Sequence, residues 1–151
     1  MTITRRIARP LLAAPFVSGG VETLRNPEPR VEKAESVAPQ VADRLPLPNE
    51  TDQLVRINAA VQIGAGVLLS VGRLPRLAAA ALAASLVPTT FAGHRFWEED
   101  DGTGRAQQQI HFLKNVGLLG GLILAVLDTE GAPSLGWRTK RTARRVRARV
   151  S

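Results

Sequence analysis

Two histidines, a lysine and several amides interrupt sequence that is otherwise apolar. His111, Lys114 and Asn115 open the stretch "IHFLKNVGLLGGLILAVL", and His94 lies near the end of another, "LAAAALAASLVPTTFAGHRF". Imidazoles near carboxylates can relay protons or ligate metal, and the acidic run Glu98–Asp101 lies between the two. His94 and His111 are the chain's only histidines, and cysteine is absent. Two rings form a weak basis for a metal or haem site, so neither is assigned. The lack of cysteine excludes disulfides, thiolate nucleophiles and Cys-ligated iron–sulfur clusters from this chain alone. No glycine-rich phosphate loop or nucleophile elbow is present. No catalytic residue is assigned, and the chain is not expected to act as a catalyst alone.

Four segments that avoid charge over most of their length must position these groups: Ile7–Leu24, Leu54–Val71, Leu77–Phe96 and Ile110–Leu127. Each is about 18–20 residues long, enough at about 1.5 Å per residue to cross a bilayer core about 30 Å thick. The first is the weakest, trimmed by Arg9 and Glu22. Pro10 and Pro15 interrupt it, and no convincing cleavage site follows, so it is read as a retained helix rather than a signal peptide. The overall apolar content of 44% is ordinary; the segregation is not. The expected fold is all-α, a membrane four-helix bundle with a long extracytoplasmic loop between helices 1 and 2. Residues 1–137 form the four-span domain and 138–151 a basic cytoplasmic tail.

The links alternate in charge. Arg5, Arg6 and Arg9, the turn with Arg73 and Arg76, and the tail from Arg138 to Arg149 are basic; Asn26–Asp52 and Glu98–Asp101 are acid-rich. Basic links face the cytoplasm, which places the protein in the cell membrane, multi-pass, with both termini cytoplasmic. The net charge of +7 equals the seven basic residues of the tail, the rest of the chain being neutral in sum; the tail would touch anionic lipid, and nucleic acid is not expected as a partner. Trp97 and Trp137 suit the two interfaces.

With this topology Glu22, Arg56, Asn58, Gln62, His94, His111, Lys114 and Asn115 all fall in the outer half of their segments. Two readings stay open: a buried polar network that fixes helix register, with Glu22 pairing Lys114 or Arg56, or a pocket open to the outer leaflet that receives a polar headgroup such as a quinone's. No other cofactor is implied. Gly117 and Gly121 are the candidate helix-packing positions, within one bundle or at an oligomer face. Pro88 is expected to kink its helix, with Thr89 or Thr90 bonding the freed carbonyl.

The stretches "FVSGGVETLRNP", "RINAAVQIGAGVLLSVGRLPRLAA", "TTFAGHRFW" and "HFLKNVGLLGGLILAVLD" together resemble the DoxX family of bacterial membrane proteins. The resemblance runs from Arg6 to Asp128. It implies a four-helix inner-membrane protein and a membrane subunit associated with oxidoreductase or oxidative-stress-defence partner proteins. The alternative from the same superfamily is a non-enzymatic scaffold or cargo-type receptor that docks through the long outer loop. Glu22 stands where the family pattern usually has a basic residue, and the basic tail is not part of that pattern. Any thiol chemistry would have to come from a partner.

Overall fold

The computed structural model describes residues 3–35 and 50–128. The described residues form five helices and no strand: α1 (Ile3–Arg25), α2 (Glu28–Ala34), α3 (Thr51–Ser70), α4 (Pro75–Gly93) and α5 (Gly102–Leu127). Helices α3, α4 and α5 are long and apolar enough to cross a membrane. Helix α1 has the length, at 23 residues, but Arg5, Arg6 and Arg9 load its start and Glu22 and Arg25 its end. The basic tail, Trp137 and positions 36–49 of the first link lie outside the described residues.

Three boundaries differ from those read off hydropathy, each for a local reason. Helix α5 begins at Gly102, eight residues before the apolar run, because the Asp101 carboxylate accepts from the Gly104 backbone N–H at 2.8 Å and caps the helix. Lys114 is therefore three turns inside its helix, not one. Helix α4 stops at Gly93, where His94 turns out of helical geometry (φ −137°). In the first link, Pro27 and Pro29 start the short helix α2; proline suits a first turn, where its missing N–H is not needed.

The α3–α4 link is a tight turn. The Gly72 N–H bonds to the Leu69 carbonyl and the Arg73 N–H to that of Leu68, with Gly72 at φ 73°. This is the glycine-terminated helix end that the left-handed conformation favours. Leu74 also has positive φ, at 50°, and Pro75 then opens α4.

Side-chain contacts identify one end of the bundle. Arg5 holds Asp128 through Nε at 2.7 Å and a second guanidinium nitrogen at 2.9 Å, and Arg9 lies 3.7 Å from the same carboxylate. Arg76 Nε donates to the Val126 carbonyl at 2.6 Å. The start of α1, the start of α4 and the end of α5 therefore meet at a basic end. The core leans toward it: Ala13, Ala65, Leu69, Ala78, Ala79, Leu82 and Leu122 are all buried in one cluster. Around the outside, Leu11, Leu77, Ile110 and Leu124 are more than three-fifths exposed, as expected of side chains that face lipid rather than water.

Helix α1 packs mainly on α3, and α4 packs on both α3 and α5. The α1–α3 approach depends on glycine. A Cβ on Gly20 would come within 2.8 Å of the Ala59 carbonyl oxygen and of Ile63, and one on Gly66 within 2.6 Å of Val17. The glycines expected to pack do so less. Gly117 faces open space, where a Cβ would meet nothing within 4 Å, and at Gly121 only the flexible end of Leu12 comes near, at 3.2 Å. Both lie on α5, whose sole buried residue is Leu122.

Candidate functional site

A cavity of about 740 Å³ lies between α1, α3 and α4, with α2 and Asn115 and Leu118 of α5 completing its lining. Its wall is mainly apolar: Pro15 and Phe16 from α1, Leu54 and Val61 from α3, Ala81 and Leu86 from α4. Several polar side chains here bond between helices or to their own backbones. Gln62 Nε2 donates to Ser85 Oγ at 3.0 Å, joining α3 to α4. Asn115 Nδ2 donates to Thr90 Oγ1 at 3.0 Å, joining α5 to α4, and the Thr90 hydroxyl donates to the Leu86 carbonyl at 2.7 Å. Pro88 leaves the Ala84 carbonyl without its usual donor. The threonines do not compensate there: the Thr89 hydroxyl is shared between the Ser85 and Leu86 carbonyls, at 3.0 Å each.

Of the eight polar residues singled out from the sequence, Asn58, Gln62, His94 and Asn115 line the cavity. The Asn58 side chain makes no hydrogen bond to the described residues. The other four lie elsewhere. Glu22 is exposed and accepts from Asn26 at 2.8 Å. Arg56 is exposed and pairs with Asp52 one turn back, at 2.8 Å. These contacts replace the pairings of Glu22 with Lys114 or Arg56. Lys114 is exposed on α5.

His111 stacks on His94, with ring centroids 5.1 Å apart and planes 20° from parallel. Face-to-face rings keep their nitrogen lone pairs in parallel planes, which does not suit a shared ion. No group of three or more His, Asp or Glu occurs among the described residues that could hold a metal. His94 Nδ1 lies 2.8 Å from Gln108 Oε1, an acceptor to which a protonated Nδ1 donates. Partial burial, above all, holds His94 below the ordinary imidazole range. The Gln108 bond opposes this, and the positive fields of His111, Lys114 and Lys33 add to it. Beside the pair, Phe91, Phe96, Trp97 and Phe112 form an aromatic cluster with centroid spacings of 5.2–6.3 Å.

Sequence reasoning missed three parts of this arrangement. Ser85 and Thr90 sit in an Ala/Leu-rich run, where a hydroxyl usually serves its own backbone; the spacing of Ser85 and Thr89, one turn apart, was the available signal. Arg30 and Lys33 fall in a proline-rich link whose central piece, from Arg30 to Leu45, reads as a short surface helix or two; what the reading missed is that both cations line the cavity. Asp128 ends an apolar run and meets arginines more than a hundred positions away.

A family model, DoxX, matches residues 5–95. The chain belongs to the DoxX family. The match takes in α1 to α4 and ends just past His94, so most of the cavity wall belongs to the matched DoxX region, while Asn115 and Leu118 come from beyond it. Membership of the DoxX family and three membrane-length apolar helices together mark an integral membrane protein. No curated protein and no solved structure matches the chain.

Proposed function

We propose that this protein holds a membrane-soluble amphiphile, of the quinone or lipid class, in the cavity between α1, α3 and α4, as a non-catalytic membrane subunit of an oxidoreductase or oxidative-stress-defence assembly. The observation that carries the binding reading is the cavity: about 740 Å³, walled by aliphatic side chains, with the Asn58 amide and His94 at its edge. That volume lies within the range of about 300–1,000 Å³ typical of small-molecule sites, which combine apolar walls with a few fixed polar groups. The oxidoreductase setting rests on the family resemblance alone.

The reading includes α1 as a fourth span. Its charges sit at its two ends, and nothing charged lies between Pro10 and Val21. At 23 residues it extends about 34 Å at about 1.5 Å per residue. The basic end then faces the cytoplasm of a cell membrane, with both termini there.

The test is thermal unfolding of the purified protein in neutral detergent, with a short-chain menaquinone analogue or a single-chain lipid added. A guest that binds only the folded state raises the midpoint by mass action. Gly19 lines the cavity, and a Cβ there would meet nothing within 4 Å, so Gly19→Leu should fill the space without unfolding the helix. The expected result is a rise for at least one guest that Gly19→Leu abolishes. No rise with any guest, or the same rise in the filled variant, overturns the reading and leaves the scaffold alternative ahead.

A further inference from the structure

Helix α2 is sorted by charge. At about 100° per residue, Pro29, Arg30, Lys33 and Ala34 share one face, and these are the α2 residues that line the cavity. Glu28, Glu32 and Glu35 cluster on the opposite face and do not line it. Three carboxylates thus share a short segment with two cations, yet neither Arg30 nor Lys33 forms an ion pair among the described residues. Both cations line a mainly apolar space.

We propose that the guest is a single-chain lipid with an anionic headgroup, its chain lodged between α1, α3 and α4 and its head held by Arg30 and Lys33. The inference rests on the cavity being a binding site and adds the charge of what it selects. A neutral or zwitterionic head would gain little from two cations, whereas an anionic one gains charge-assisted hydrogen bonds from both. The Asn58 amide, one wall away, suits a glycerol or ester oxygen.

The experiment compares oleoyl lysophosphatidylglycerol with oleoyl lysophosphatidylcholine, which share a chain and differ in net charge, on the full-length protein in neutral detergent at low salt. The anionic probe should bind on the order of tenfold to thirtyfold tighter, from about 1 kcal/mol for each cation near a membrane surface. The double variant Arg30→Gln, Lys33→Gln should lose that preference and keep the weaker binding. Inorganic phosphate alone should not compete at millimolar concentration, since the chain supplies the rest of the affinity. Equal binding of the two probes, or a preference that survives in the double variant, overturns the charge assignment but leaves the cavity reading intact. Anionic preference that persists when Gly19→Leu fills the cavity shows surface adsorption and overturns the proposal. Failure of every amphiphile to bind removes the cavity reading itself.

Discussion

The α1–α3 seam and the α4–α5 seam solve one problem in opposite ways. Two helices in lipid gain nothing from excluding water, so they must associate through close packing or polar contact. The first seam uses closeness: Gly20 lies against Ala59 and Ile63, and Gly66 against Val17. The second uses directed contacts, with Asn115 on Thr90, His94 on Gln108 and His111, and Phe112 among three aromatic rings. A seam of close backbones has no slack, while a seam of side-chain contacts can lose one and keep the rest. The cavity opens between these two seams.

The largest expected effect comes from breaking the close seam. Gly20→Leu must push apart two backbones and should destabilise the protein by about 3 kcal/mol, at the upper end of ordinary overpacking. Gly117→Leu, which projects into open space, should be close to neutral. Unfolding both in one detergent checks the contrast, and equal losses would mean that the seams do not differ as described.

Next is the clasp that ties α1 to the end of α5. Asp128→Ala removes a carboxylate that lies 3.7 Å from Arg9, which is only 7% exposed. Breaking a fully buried pair costs about 3–5 kcal/mol; Asp128 is 26% exposed, so about 2 kcal/mol is expected. Restoration of stability by Asp128→Glu would confirm that charge rather than shape is responsible.

Asn115→Leu should cost about 1 kcal/mol, the scale of an interhelical hydrogen bond in a membrane protein. Thr90 keeps its bond to Leu86, so no buried hydroxyl is stranded. A loss as large as that of Gly20→Leu would erase the distinction between the seams.

The smallest effect is a pH dependence. His94 is held below its ordinary value of 6.5, mainly by burial, so the unfolded chain binds protons more readily in that range. Stability is full above about pH 6.5 and declines as the pH falls below it. His94→Gln should flatten the decline in melting midpoint between about pH 7.5 and 5; an unchanged slope would assign it to other groups.

Hydropathy made the helices legible because apolar runs of bilayer length are local features of the chain. It also located four of the cavity's polar residues, since an amide or imidazole inside such a run stands out. Partnerships were not legible. Glu22 pairs with Asn26 rather than across the bundle, because four residues along a helix is nearer than any neighbouring span. Gly117 and Gly121 look like a packing motif, but spacing cannot say which face meets a helix and which meets lipid. A short helix was legible from Arg30 onward, but not its start at Pro27 and Pro29, nor that the face carrying Arg30 and Lys33 lines the cavity.

The Gly72–Pro75 turn has a consequence for biogenesis. With four residues between them, α3 and α4 cannot be threaded into a bilayer as separate events once both are spans. Helix α3, which carries Arg56, Asn58 and Gln62, would partition poorly alone; α4 has no charge beyond Arg76 at its first turn. Entry as a hairpin is therefore expected, the helix with fewer charges accompanying the one with more. Separating them with a long flexible insert should then lower the insertion of α3 in an insertion assay. By that route the polar wall of the cavity reaches the membrane with its neighbour, through a turn that lines no part of the site.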